Sequence, residues 1–305
     1  GAGKTSLAEA MLFVSKGINR LGRVDDGTST LDYDPEEVKR QISINLSMAP
    51  IEWKDHKINI LDTPGYFDFV GDVTAALRVA DTALIVVCAS AGVEVGTEKA
   101  WDMTEQNNIP RMIYINKMER ENANFDRVVE QLRSMFGQKI VPVQIPIGTA
   151  DSYRGHIDLI QQKAYLWDGN SVTVGDIPAE MADDVEMARD ALVEAVSVTD
   201  DELMMKYLEG EAVTDQEVEA ALAVGTRTGD VVPVFCGSAS ANVGVSELLD
   251  YCIKCAPSPK ERIDVGIDTK SGDEVEISPE GDKLCALVFK TLADPYVGKL
   301  TLFKV

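Results

Sequence analysis

The sequence predicts an α/β protein: a doubly wound parallel sheet carrying an inserted α+β subdomain, followed by the first strands of a separate β domain. Three observations predict it. Short apolar runs at 83–88 (ALIVVC), 111–115 (RMIYI) and 231–236 (VVPVFC) alternate with helix-like stretches. Runs of that length fit strands covered on both faces, and strand–helix alternation builds a parallel sheet. Between residues 151 and 230 the alternation breaks, and 19 acidic residues outweigh 5 basic ones. From about residue 263 the chain turns polar and then strand-like.

Taken in order, a Gly-rich turn at residues 1–3 leads into a helix over 5–15. Strands follow at 51–53 and 58–61, joined through the polar turn Lys54-Asp55-His56-Lys57. Helices are expected over 97–106 and 124–136, and a last one over 243–255 after the strand at 231–236. The interruption holds short strands at 156–160, 164–167 and 171–174. A helix over 179–198 follows, where Met181, Val185, Leu192 and Val196 fall at near-helical spacing. Strands at 284–291 and 299–305 flank the turn Asp294-Pro295-Tyr296-Val297-Gly298. The expected units are therefore 1–150, an insert over 151–230, a return over 231–262, and the start of a further domain over 263–305.

The 305 residues carry a net charge of −22, of which −14 lies in 151–230. The balance argues against broad, non-specific binding of nucleic acid, which needs a surplus of Lys and Arg, yet allows one small local contact with RNA. The acidic insert reads either as a solvated surface or as a face for a basic partner. No stretch approaches the ~18 apolar residues of a membrane helix. Five Cys without a secretory signal suggest reduced thiols in the cytoplasm. Cys252 and Cys255 form a C-x-x-C; with no second ligand pair it reads as two small residues on a helix rather than a zinc site. Residue 1 already lies inside an apparent phosphate loop, so a fragment of a longer chain is expected, its opening strand missing.

Four short motifs carry the chemistry. Gly1-Ala2-Gly3-Lys4-Thr5-Ser6 looks like the latter part of a P-loop. Its backbone N–H groups would cradle phosphates, Lys4 would neutralise them and the Thr5 hydroxyl would hold Mg²⁺. Asp62-Thr63-Pro64-Gly65 follows an apolar strand; Asp62 suits a Mg²⁺ site and the Gly65 N–H a γ-phosphate, although alone the four residues would read as a β-turn. Asn116-Lys117-Met118-Glu119 closes a strand and is similar to the N-K-x-D pattern with which P-loop GTPases read guanine; Gly237-Ser238-Ala239 closes another, and its backbone could read the guanine carbonyl oxygen. Singly each is weak; in this order, each at a strand's C-terminal end, they define one ligand crevice.

These residues resemble the GTP-binding region of elongation factor G, in the translational GTPase family, and more its paralogues than the standard factor. The resemblance covers essentially the whole chain. It implies a P-loop GTPase fold, GTP or GDP with Mg²⁺ as ligands, and a ribosome-dependent GTP hydrolase acting in translocation or a related step. Arg40-Gln41-Ile42-Ser43-Ile44 then matches the switch I motif, placing the Ser43 hydroxyl on Mg²⁺. The insert matches the family's extra subdomain, and Asp294 to Leu300 the start of its β-barrel domain II. The implied partners are the ribosomal RNA and the stalk protein, met by a monomer in the cytoplasm. The implied catalytic group is Tyr66, beside Lys4 and Gly65.

Three positions depart from the family. Tyr66 stands where a His orients the attacking water, and a phenol cannot carry a positive charge; slow hydrolysis is expected. Glu119 replaces Asp in the base motif, one methylene longer; GTP is still favoured over ATP because Asn116, Lys117 and Gly237-Ser238-Ala239 remain. Gln41 and Ser43 replace Gly and Thr in switch I (about 21–43), which is expected to lose order without a γ-phosphate. The rival reading is a nucleotide-gated ribosome-binding protein in which hydrolysis is incidental. A P-loop phosphotransferase leaves Asn116-Lys117 without a role.

Overall fold

The computed structural model describes residues 1–281, 284–294 and 298–305. The turn expected at Pro295-Tyr296-Val297 lies outside the described residues. Helix α1 (Lys4–Val14) follows the glycine turn, and a short α2 (Pro35–Arg40) precedes an antiparallel hairpin of β1 (Ser47–Trp53) and β2 (His56–Asp62). Then come α3 (Val70–Leu77), β3 (Ala83–Cys88), α4 (Val95–Gln106), β4 (Arg111–Asn116), α5 (Phe125–Phe136) and β5 (Ile140–Pro142). A second sheet holds β6 (Gln144–Pro146), β7 (Gly155–Asp158), β8 (Lys163–Trp167) and β9 (Val172–Gly175), all antiparallel. Helices α6 (Ala182–Ser197), α7 (Asp201–Leu208) and α8 (Asp215–Thr228) lead to β10 (Val232–Cys236) and α9 (Val245–Cys255). Two hairpins close the described chain, β11 (Asp264–Ile267) with β12 (Glu274–Ile277) and β13 (Leu287–Asp294) with β14 (Gly298–Lys304).

The central sheet is parallel, in the order β3-β4-β10-β5. Every residue of β4 and β10 is buried, which is why their sequences lack polar alternation. Successive residues still point to opposite faces: Met112, Tyr114 and Phe235 join the cluster with α1 and α9, while Ile113, Ile115, Val232 and Val234 join that with α5. Trp101 of α4, stacked 4.2 Å from Phe136, closes the second face. Each such fully buried side chain contributes about 1.5–3 kcal/mol. The hairpin of β1 and β2 forms a sheet of its own.

β1 runs four residues further back than expected, through Pro50. Its burial alternates, with Ser47, Ala49 and Ile51 inward, and it pairs with β2 alone, so it is an edge strand, where a proline is tolerated. β6 pairs with β7, so the second sheet draws in Gln144 to Pro146, ahead of the expected boundary at 151. Arg189 on α6 staples the helices to that sheet, donating to the carbonyls of Leu159 and Ile160 and pairing with Asp215. Cys252 and Cys255 are free thiols on the last turns of α9, and burial pushes both up to about 12. No helix among the described residues is long and apolar enough to cross a membrane.

His156 on β7 is fully buried and stacked 5.1 Å from Tyr165, with neither ring nitrogen hydrogen-bonded. Burial drives its pKa down from 6.5 to about 3. The unfolded chain therefore binds a proton below pH 6.5 that the folded protein refuses, and His156 lowers stability as pH falls from 6.5 towards 3. Glu247, pushed up to about 7 by burial, acts in the opposite sense between pH 7 and 4.5. Comparison with His156→Phe isolates the histidine. In acid titrations followed by circular dichroism, the stability gap should widen in favour of the variant by about 1.4 kcal/mol per pH unit below 6.5. Parallel curves would exclude this effect.

Candidate functional site

Two of the four motifs follow the parallel strands β4 and β10, a third follows β2, and the glycine turn before α1 joins them. Gly3 has φ 92° and ψ 38°, and a Cβ there would stand 2.6 Å from Asn116 Nδ2. Only glycine combines that left-handed turn with that approach. Asn116 at the end of β4 donates to Ala2 O at 3.0 Å, while its Oδ1 accepts from Ala239 N at 2.9 Å. Lys117 donates to Gly1 O. Gly237 O accepts from Met118 N, and Gly237 N donates to Ile115 O. One amide and one ammonium thus lock the glycine turn, the segment 116–119 and the loop 237–239 together.

At the start of α1, Lys4 Nζ packs on Gly65, where a Cβ would stand 2.8 Å away. Burial pulls the Lys4 ammonium down, and Asp62 and Asp32 push it back up. Thr5 Oγ1 lies 2.8 Å from Ser43 Oγ. Asp62, at the end of β2, is buried; burial raises its carboxyl to about 6, against the Thr5 hydrogen bond and the charge of Lys4. Ser6 stands in the first turn of α1. Two hydroxyls, a carboxylate and an ammonium converge on one point. Hard oxygen donors of this kind suit Mg²⁺ when phosphate oxygens complete the shell. Among the described residues no group of three His, Cys, Asp or Glu could hold a metal unaided.

Asp32 was not apparent from the sequence. It is buried, which raises its carboxyl against the opposing effect of the Ser43 hydroxyl, and its Oδ2 has no hydrogen-bond partner. Two further carboxylates fix the segment between α1 and β1. Glu9 on α1 accepts from Ser29 Oγ and from the N–H groups of Thr30 and Leu31. Glu37 on α2 accepts from Ile44 N and Asn45 N, 2.8 and 2.9 Å away, immediately after Ser43. The signal available for Glu37 was the capping box that Asp34 and Glu37 form around Pro35.

Tyr66 is 54% exposed and precedes the 3₁₀ turn Phe67–Phe69. Lys99 of α4 places its ammonium 3.6 Å from the centroid of the Phe67 ring. The segment is therefore held on one side by Lys4 at Gly65 and on the other by Lys99 at Phe67. Further along, Asp72 of α3 accepts from Leu46 N at 2.6 Å and pairs with Lys290 of β13. Past the end of α3, Lys304 reaches Val79 O and Asp81, and Arg262 donates to Arg78 O and Ala80 O. At the other rim, Glu119 Oε1 accepts from Ser240 Oγ at 2.8 Å, and its Oε2 is covered without a partner.

The family model described as the elongation factor Tu GTP-binding domain matches residues 1–258. Among solved structures, 226 chains match. One is the crystal structure of a protein from Thermus thermophilus, 34% identical, with a TM-score of 0.87 over the whole of this chain. The present chain spans 43% of the length of that relative.

Proposed function

The chain belongs to the translational GTPase family through its elongation factor Tu-type GTP-binding domain, and on that premise we propose a ribosome-dependent GTP hydrolase of the elongation factor G type, paralogue branch. It binds GTP and GDP with Mg²⁺ and acts in translocation or a related step. The observation that carries the reading is the pair of bonds from Asn116 to Ala2 O and from Lys117 to Gly1 O, which joins a base-reading segment to a phosphate loop. The N–H groups of residues 1–6 and the Lys4 ammonium then hold the phosphates, and Thr5, Ser43 and Asp62 hold Mg²⁺. That ion supplies charge neutralisation on the phosphate oxygens. Gly65 offers its N–H to the γ-phosphate, and Tyr66 faces the attacking water. Asn116, Lys117, Glu119 and Gly237-Ser238-Ala239 enclose guanine.

The same reading divides the chain into a G domain over 1–150 and 231–262, an acidic insert over 151–230 that draws in β6, and the start of a β-barrel over 263–305. The insert's charge suits a basic protein surface rather than RNA, the stalk protein is its proposed partner, and ribosomal RNA is left to the side of Tyr66. A monomer in the cytoplasm is part of this proposal. Calorimetric titration with GDP, GTP and ADP, with and without Mg²⁺, tests it. Guanine nucleotides should bind at least tenfold more tightly than ADP, with GTP losing affinity when Mg²⁺ is chelated; equal affinity for GDP and ADP would refute it. The exposed Tyr66, whose hydroxyl has no protein partner among the described residues, favours one second reading, a nucleotide-gated ribosome-binding protein with incidental hydrolysis.

A further inference from the structure

We infer that Ser240 is a specificity-determining positioning residue: its hydroxyl draws back the over-long Glu119 side chain so that the carboxylate meets the edge of guanine. The inference rests on the reading of segments 116–119 and 237–239 as the base site. Glu119 carries one methylene more than the Asp such a segment ordinarily holds. Left free, its carboxylate would overreach, and fixing it would lose side-chain entropy on binding. Ser240 Oγ donates to Glu119 Oε1 at 2.8 Å, across 121 positions of sequence.

Ser240 is itself oriented. Ser238, fully buried, accepts from Ala241 N through its Oγ at 3.1 Å. The Ser238 and Ser240 hydroxyls lie 3.2 Å apart. Since Ser240 gives its proton to Glu119, the proton of that contact comes from Ser238. The relay therefore runs from the Ala241 N–H through Ser238 and Ser240 to the carboxylate. Ser238 is pinned by reciprocal backbone bonds with Val243. The result is a carboxylate set in place before any ligand arrives, which reduces the ordering that binding requires. Its second oxygen is covered and has no donor. A covered acceptor left unsatisfied is unfavourable, and the N–H edge of guanine supplies what it lacks.

The test is binding of GDP, IDP and ADP to the wild-type protein and to Ser240→Ala, Ser240→Thr, Glu119→Asp and the double variant Ser240→Ala/Glu119→Asp. Ser240 lies on the surface, so folding is expected to survive, and circular dichroism checks it. Ser240→Ala should weaken GDP about tenfold, IDP less because hypoxanthine lacks the 2-amino donors, and ADP not at all. Ser240→Thr should restore GDP affinity. In the Glu119→Asp background the Ser240→Ala loss should shrink to within about twofold, because the shorter side chain needs no restraint. Equal losses for GDP and ADP would mean a merely structural role and overturn the inference, as would no loss at all. If the wild type fails to prefer GDP over ADP, the base-site reading falls and this inference with it. If that preference holds while Ser240→Ala is silent, only the inference falls.

Discussion

Tyr66→His should raise ribosome-stimulated GTP turnover by about 10² or more. A group that orients or polarises the attacking water is worth ~10²–10⁴ in rate. A phenol can donate one hydrogen bond to that water but cannot become cationic, whereas an imidazole can do both. The site can receive the change, because Tyr66 is half exposed and its backbone is extended. Gly65 and Phe67 on either side keep their contacts with Lys4 and Lys99. The stability of the protein should move by no more than about 0.5 kcal/mol, as for other surface substitutions. Single-turnover hydrolysis with saturating ribosomes measures the effect. Equal and fast rates in the two proteins would show that Tyr66 already does the work of the histidine.

Lys4→Met should reduce affinity for GDP and GTP by about 10²-fold or more. Two charge-assisted bonds to phosphate oxygens are lost, each worth ~1.5–3 kcal/mol. The electrostatics of the site also change, because Lys4 is a cation facing both Asp62 and Asp32. Without it two carboxylates confront the incoming phosphates. Lys4→Arg should fail as a rescue. The ammonium already packs against Gly65 so closely that a Cβ there would be 2.8 Å away, and a planar guanidinium needs more room. Calorimetry with GDP decides it: affinity within threefold of wild type in Lys4→Met would remove Lys4 from the phosphate site, and the same result in Lys4→Arg would show that the site accommodates a guanidinium.

Much of this was legible in the sequence, for identifiable reasons. β4 and β10 were readable because strands buried on both faces need unbroken apolar runs. The helices α1, α5 and α9 were readable from their position after strands and turns. Two helices of the insert, α7 and α8, were missed although their caps were written locally: Asp200 and Thr214 accept from the first-turn N–H groups. α7 spans only eight residues, so its apolar periodicity is brief, and α8 turns inward a face that includes the small residues Ala221, Gly225 and Thr226, so in both the cap was the clearer signal. β6 was missed because three residues carry no period. In the candidate site, motif spacing made Lys4, Thr5, Asp62 and Asn116 legible as candidates, whereas Asp32, Glu9 and Ser240 were not, because each meets its partners across a distance set only by the folded chain. Glu9, for example, reaches 21 and 22 residues along to Thr30 and Leu31.

The contacts of Asp72 have a thermodynamic corollary. One carboxylate ties the backbone after Ser43, the helix after Tyr66 and, through Lys290, the hairpin of β13 and β14. On the proposed site, a nucleotide whose γ-phosphate pulled on Ser43 or Gly65 would be coupled through Asp72 to the hairpin. Linkage makes the exchange reciprocal: whatever factor the nucleotide imposes on the hairpin's docking equilibrium, the hairpin imposes on nucleotide affinity. A macromolecule that gripped β13 and β14 far from the phosphates would then, by that same factor, shift how tightly the nucleotide is held.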